Sequence, residues 1–460
     1  MLCLTLSGIA QKKEVVILTV NDMHAAIQNF PQMAAVVDSI RDIYPQLIVF
    51  SAGDNRTGNP LNDRYKEPSY PITALMNQVG VAASAVGNHE FDSGTEGFRR
   101  QMRRSNFRYL CANVEAEDSL SLHVLPYQIF DIEGIRLGVL GVLHINSLGI
   151  PESHPKNLHG LKFHPVKETI KQYEWLKDQC DVMALLSHDG YADDIETARL
   201  FPWIDVILGG HSHTKVAANT FHSNVLVTQG GNNLKWASLV KIELENGKVT
   251  NRSSELINIY QHSSKDELVS AMVDFFSDNE ELKQTVCTLE ADITQEEEFG
   301  CLVADALRAE SGADIALQNG GGVRLKAFAA GPFTLQDVFR LDPFGNECVM
   351  TEITGRELGD FILECYNTDL HILPYLSGVK YRLTIDAATQ HASAIELYAP
   401  DGKKMNLKKK YKVATNSYVD AICHTVECQS TGEICSTHIE TYLRRLGKVN
   451  YAGRRCIVRN

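Results

Sequence analysis

Five segments of this sequence end an apolar run on a small residue or turn and then at once present Asp, Asn or His. They are Val15–Val20 before Asn21-Asp22-Met23-His24, Leu47–Gly53 before Asp54, Ala85-Val86-Gly87 before Asn88-His89, Val182–Ser187 before His188, and Val206–Gly210 before His211-Ser212-His213. Two carboxylates, an amide and several imidazoles brought together are costly unless a cation organises them. Mixed oxygen and imidazole donors suit Mn²⁺, Fe²⁺ or Zn²⁺ better than an all-oxygen Ca²⁺ cage. The donors suffice for two divalent ions bridged by one carboxylate, and Asp54, alone at the end of its run, is the natural bridge. Two ions roughly 3.5 to 4 Å apart activate a water and stabilise the charge that builds on a phosphoryl oxygen during in-line displacement. In Gly87-Asn88-His89-Glu90-Phe91-Asp92, His89 and Asp92 read as an imidazole oriented by a carboxylate, able to protonate a leaving oxygen. Hydrolysis of a phosphate ester is the chemistry expected. A zincin helix built on His89-Glu90 is excluded, because its second histidine would fall where Ser93 stands. One histidine after a strand is ordinarily a hydrogen-bonded core residue, so the signal lies in the joint pattern, and the remaining histidines read as surface or core.

Residues this far apart in sequence meet only if the fold carries several strand ends to one rim. Short β-branched or aliphatic runs at Val15–Val20, Leu47–Phe50, Ala82–Val86, Leu137–Val142, Val182–Leu186 and Val206–Leu208 alternate with polar, helical-looking segments. That is the grammar of an α/β layer fold, whose ligand crevice lies at the carboxyl ends of the strands. Val225–Thr228 and Ala237–Leu244 close the same unit. From Gln261 to Leu289 the pattern turns charged and helical, with Leu268, Met272, Phe275 and Phe276 at helical spacing and no strand, which predicts a linker helix. Runs at Ile315–Leu317, Cys348–Ile353, Val379–Ile385, Ala394–Tyr398 and Tyr411–Ala414 then predict a second α/β domain.

The chain has 460 residues, 44 % hydrophobic and 22 % charged, enough for two or three domains and incompatible with a disordered or staple-dependent chain. Its 44 Lys+Arg against 57 Asp+Glu give a formal charge of −13 with no long basic run, which excludes duplex nucleic-acid binding as the main activity. No apolar stretch approaches the roughly 20 residues a membrane span needs. Met1–Ala10 is apolar and resembles the tail of a secretory signal without its basic start. The expectation is an exported, periplasmic protein, or a cytoplasmic one if that segment is not a signal. The 11 cysteines lack the spacing of a disulfide scaffold. Cys423, Cys428 and Cys435, with His424 and His438 nearby, fit a disulfide, a zinc site or, most plainly, buried or free thiols.

The blocks NDMH, GDNRTG, GNHEFD, LSHDG and GGHSH, in this order, resemble the signature blocks of the calcineurin-like metallophosphoesterases, in particular the 5'-nucleotidase family. The resemblance implies a four-layer α/β/β/α sandwich over residues 11–260, a linker helix over 261–289 and a C-terminal α/β substrate-binding domain over 290–460. It further implies one metal on Asp22, His24, Asp54 and His213, a second on Asp54, Asn88, His188 and His211, and His89 with Asp92 as the catalytic dyad. In Gln318-Asn319-Gly320-Gly321-Gly322-Val323-Arg324, three glycines let backbone approach a ligand and Arg324 adds a planar donor fork. This segment resembles the family's NGGGIR block, and Asp342-Pro343-Phe344-Gly345-Asn346 resembles the PF block that follows. The resemblance places Asn319, Gly321 and Arg324 on the polar parts of a nucleotide and its base between Phe344 and Tyr418, where stacking is worth roughly 1 to 3 kcal/mol.

Two departures concern substrate. Where the family carries a GGDG-type block the chain reads Val419-Asp420-Ala421-Ile422-Cys423-His424, and where a further phosphate-binding arginine is expected it reads Gln295-Glu296-Glu297-Glu298. Three carboxylates there would repel an anion unless they face solvent at a helix N-terminus. The expected activity is release of phosphate from nucleoside monophosphates. The alternatives are a 2',3'-cyclic phosphodiesterase with 3'-nucleotidase activity, a nucleoside diphosphate sugar hydrolase, and a non-catalytic metal-containing binding protein.

Overall fold

The computed structural model describes residues 12–120, 122–368 and 372–457, so the export segment expected at Met1–Ala10 lies outside the described residues. The chain divides into two compact units that part between Asp278 and Asn279, with Gly58–Leu61 counted in the second.

The first unit contains two six-stranded sheets. One runs in the order Lys248–Asn258, Trp236–Glu245, Lys12–Val20, Ile48–Ser51, Val81–Ala85, Arg108–Leu110; the other runs Phe221–His222, Val225–Thr228, Val206–Gly209, Val182–His188, Ile135–Leu143, Tyr127–Ile132. Alternate residues of facing strands, among them Val15, Ile17, Phe50, Ala83, Ala85, Leu137, Val139, Ala184, Leu186, Val206 and Leu208, fill one core between the sheets. The outer face of the second sheet buries Leu140, Val142, Leu185, Ile207 and Val227 with Ile170 and Ala198 from helices Val166–Gln172 and Tyr191–Leu200. Burial on both faces explains why these strands read as unbroken apolar runs rather than as alternation. Lys12–Val20, Ile48–Ser51, Val81–Ala85 and Arg108–Leu110 run parallel, as do Ile135–Leu143, Val182–His188, Val206–Gly209 and Val225–Thr228, so each sheet delivers four carboxyl ends together.

The linker helix expected over 261–289 is helical only over Glu267–Ser277. The Asp266 carboxylate starts it by accepting the Val269 N–H at 2.7 Å. It belongs to the first unit and packs on helices Phe30–Arg41 and Tyr70–Val79. Its buried face is Val269, Val273 and Phe276, with Leu268 and Phe275 exposed, one step round from the expected stripe. Thr285–Leu289, absorbed into that expected helix, is a strand of the second unit, antiparallel to Gly331–Thr334 and parallel to Lys448–Val449. Its Thr-Val-Cys-Thr-Leu composition favours the pleated form.

The second unit is built on a five-stranded sheet in the order Tyr375–Ser377, Ile315–Gln318, Lys410–Asn416, Glu347–Thr354, Gln429–Ile434. Ile315, Leu317, Phe361, Ile362, Leu376, Tyr381 and Val413 lie at its core. The run expected as one strand at Val379–Ile385 is Lys380–Ile385, paired with Ala392–Tyr398 in a separate hairpin.

Candidate metal centre

The strand ends of the first unit are laced together by backbone before any side chain contributes. The Asp22 N–H donates to the Gly53 carbonyl at 3.0 Å, and the His24 N–H to the Asp54 carbonyl at 3.0 Å. Asp22, His24, Asp54, His211 and His213 all hold left-handed backbone, with φ of 46, 45, 51, 72 and 56°. That conformation costs a non-glycine residue roughly 1 kcal/mol or more, and such strain persists where the surroundings over-determine it. Gly87 is needed for a different reason: a Cβ there would lie 2.2 Å from Asp54 Oδ1 and 2.4 Å from its backbone nitrogen. Only a residue without a side chain lets the third strand end come this close to the second.

The imidazoles are oriented by one repeated device. His24 places Nδ1 3.0 Å from the Thr57 carbonyl, His188 places Nδ1 2.6 Å from the Ala52 carbonyl, and His89 places Nδ1 2.8 Å from Asp92 Oδ2. Each Nδ1–H is thereby donated to oxygen, and each Nε2 is turned inward. His24 Nε2 stands 2.9 Å from His213 Nε2, which lies 3.5 Å from Asp22 Oδ1. His188 Nε2 is 3.2 Å from Asp54 Oδ2 and 3.3 Å from Asn88 Oδ1. The Asn88 amide is aimed by its own Nδ2, which donates to the Glu152 carbonyl at 3.1 Å. His211 donates its N–H to both Asp22 carboxylate oxygens at 3.1 and 3.0 Å. Two donor groups emerge, Asp22/His24/His213 and Asp54/His188/His211, joined by His24/Asp54/His89.

Electrostatically this rim calls for positive charge. Burial works against the Asp54 charge, yet His188 and His89 hold its pKa well below the ordinary carboxylate range. Burial likewise opposes charging His188, but Asp54 outweighs it and raises the imidazole to about 10. His211 goes the other way: burial, then the neighbouring His188 and His144, push it well below the usual imidazole value. A divalent cation here would take the place of the proton that Asp54 holds on His188, and imidazoles around an ionised carboxylate are the donor chemistry of such an ion.

Two residues given no role in the sequence reading belong to this site. Glu90, fully buried, accepts the N–H groups of Asp54, Asn55 and Gly87 at 3.0, 3.0 and 2.7 Å, and the Asn55 amide at 3.1 Å. One carboxylate thus ties the second strand end to the third. Burial, then the Asp54 charge, push its pKa up. Glu90→Ala is expected to destabilise the protein by about 3 to 5 kcal/mol, because several buried donors are orphaned together. Glu90→Gln, which keeps an acceptor, is expected to lose less, and urea unfolding midpoints give the comparison. The other residue is His144, stacked on His211 with ring centroids 4.9 Å apart. It follows the apolar strand Ile135–Leu143 directly, without the small residue or turn that marked the five segments.

In the second unit, the expected substrate residues gather at one edge of the five-stranded sheet. Asn319 follows the strand ending at Gln318, and its buried Oδ1 accepts the Asn416 amide at 2.9 Å. Asn416 ends its own strand and caps the helix Ser417–Ile422 that carries Tyr418. Gly321 sits mid-turn in Gly320–Gly322, and the Arg324 guanidinium lies over the Phe344 ring at 5.7 Å. Phe344 precedes the strand Glu347–Thr354, antiparallel to Lys410–Asn416. Tyr418 is half-buried against the domain core.

The acidic run does open a helix, Glu296–Ser311, but Glu297 and Glu298 are buried rather than solvent-facing. Arg455 lies 3.6 Å from Glu297 and 3.2 Å from Glu298, and Glu298 also accepts the Gly453 N–H at 2.8 Å. A tail of cationic side chain and backbone donors therefore absorbs the charge that would repel a phosphate. Asp420, in place of the missing GGDG-type block, accepts the Cys428 N–H at 3.1 Å. All ten described cysteines are free, and among the described residues the side-chain groups able to hold an ion include no thiol.

Comparison with known proteins places the calcineurin-like phosphoesterase family model on residues 15–215 and the 5'-nucleotidase, C-terminal domain model on residues 277–422. The chain is 25 % identical to protein UshA of Yersinia enterocolitica, over 88 % of this chain and 85 % of that protein. It is 24 % identical to the trifunctional nucleotide phosphoesterase YfkN of Bacillus subtilis; the match takes in 89 % of this chain but spans only 32 % of that relative's length. Among solved structures, a 5'-nucleotidase precursor from Thermus thermophilus superposes with a TM-score of 0.85 at 22 % identity, covering 97 % of this chain and 99 % of that one.

Proposed function

The chain belongs to the calcineurin-like metallophosphoesterases that carry a 5'-nucleotidase-type C-terminal domain, and from that premise we propose that it releases phosphate from nucleoside monophosphates at a two-ion centre. In this reading Asp22, His24, Asp54 and His213 hold one divalent ion, and Asp54, Asn88, His188 and His211 the other, with Mn²⁺, Zn²⁺ or Fe²⁺ as the ions the donor set suits. The observation that carries it is the position of Asp54, a member both of the group with His24 and His89 and of the group with His188 and His211. Bound there, the ions supply an ionised water and neutralise charge on the phosphoryl oxygens.

The chain's own residues do the rest. Asp54 fixes the separation of the two donor groups. His89, its Nδ1–H donated to Asp92, keeps Nε2 3.8 Å from Asp54 Oδ2 and so beside the reacting group, where it delivers a proton to the departing alkoxide. Asp92 fixes the tautomer and is itself approached by the Ser153 hydroxyl at 3.4 Å. An oriented proton donor has no use in a mere binding protein, which weighs against the non-catalytic alternative. Recognition of the nucleoside falls to Asn319, Gly321, Arg324, Phe344 and Tyr418 of the second unit. Export, resting on Met1–Ala10, is part of the same proposal.

Purified chain loaded with Mn²⁺ or Zn²⁺ should release phosphate from AMP faster than from 2',3'-cyclic AMP or a nucleoside diphosphate sugar, and chelation should abolish release. Faster turnover of either of those two compounds would replace the monophosphate assignment. Phe344→Ala and Tyr418→Ala are each expected to raise KM for AMP by about 5- to 150-fold, the equivalent of one lost stacking contact. Hydrolysis of p-nitrophenyl phosphate, which has no nucleobase, should stay near its original KM, and equal losses on both compounds would remove these rings from base recognition.

A further inference from the structure

A third group of donors lies beside the proposed pair and is assigned to neither ion. The ligating atoms of His144, Glu152 and His211 all stand within 4.8 Å of one another. His144 Nε2 is 3.7 Å from Glu152 Oε1, and His211 Nε2 is 3.8 Å from Glu152 Oε2. These separations are too long for hydrogen bonds. They are the spacing of donors that share one ion at roughly 2.0 to 2.2 Å each, which leaves about 3 to 4 Å between donors. We propose that His144, Glu152 and His211 hold a third divalent cation, of the borderline class that two imidazoles and a carboxylate select.

Three further features support the site. His144 donates its Nδ1–H to Asp189 Oδ1 at 2.9 Å, the same device that turns Nε2 of His24 and His188 inward. Carboxylates orient metal-bound histidines in this way. The loop carrying Glu152 is pinned to the active site, its carbonyl accepting the Asn88 amide at 3.1 Å and the next residue, Ser153, reaching Asp92. The wall is also acidic: Glu152, Asp189 and Asp193 stand around His144. His211, also assigned to the second ion, turns Nε2 to the Glu152 side.

The competing arrangement is an imidazolium at His144 paired with Asp189 and Glu152, which needs no metal. The whole chain, stripped by chelation and dialysed against Zn²⁺ or Mn²⁺, separates the two by its metal content. Three ions per chain are expected, falling by one in both His144→Ala and Glu152→Gln, with an anomalous diffraction peak among His144, Glu152 and His211. A wild-type content of two, or a content that neither substitution lowers, overturns the proposal. A content of one that vanishes in His144→Ala would instead keep this site and remove the two-ion centre. Should the alanine variant fail to fold by circular dichroism, His144→Gln carries the same expectation.

Discussion

Replacing Asp54 with alanine is expected to strip both ions of the proposed pair and to lower phosphate release by about 1,000-fold or more, a loss of about 4 kcal/mol of transition-state stabilisation. Asp54 Oδ2 lies 3.2 Å from His188 Nε2 and 3.8 Å from His89 Nε2, and Oδ1 accepts the His89 N–H at 2.9 Å. Without that carboxylate, His24, His89, His188 and His211 surround a site with no shared anion, and two cations brought close together would repel with nothing between them. Asp54→Asn separates charge from shape. It retains the amide-to-oxygen contact with His89, so the fold should survive, while at least one ion is lost. Metal analysis and phosphate release on the same preparations give the answer; an alanine variant that keeps both ions and near-normal turnover removes Asp54 from the bridge.

His89→Ala should leave metal content intact and reduce turnover of a nucleoside monophosphate by about 100- to 10,000-fold, the range of a positioned general acid. A proton donor matters in proportion to how poorly the leaving group departs alone. The same substitution should therefore cost much less on p-nitrophenyl phosphate, whose phenolate leaves unaided, than on AMP, whose alkoxide does not. Asp92→Asn, which weakens the hold on Nδ1 and disturbs the tautomer, should follow the same selectivity at smaller amplitude. Equal losses on the two substrates would show that His89 supports the site's shape rather than giving a proton.

The parts of the site legible before the structure share a physical origin. Val15–Val20, Val182–His188 and Val206–Gly209 are buried on both faces, so their ends are marked by an abrupt change from apolar residues to Asp or His. Thr285–Leu289 is hidden in the sequence because a short strand beside a charged helix has neither the length nor the flanking turns to separate it from that helix. Glu90 is invisible there for another reason: a carboxylate after a histidine is ordinary, and only the approach of Asp54, Asn55 and Gly87 makes it a knot. His144 comes straight after Leu143, without the small residue or turn that marked the other strand ends, and the family resemblance supplies no block at its position to single it out.

The sequence by itself determined where the layers change, which strand ends carry acids, amides and imidazoles, and hence that metal-assisted hydrolysis was the chemistry. Those properties are local, written in residue type and in the length of apolar runs. The tertiary structure alone decided which nitrogen of each ring turns inward, which backbone segments bear left-handed strain, where the charge of Glu297 and Glu298 is neutralised, and that His144 meets Glu152 beside His211. Each of these depends on partners far away in the chain, and only packing determines the distances between them.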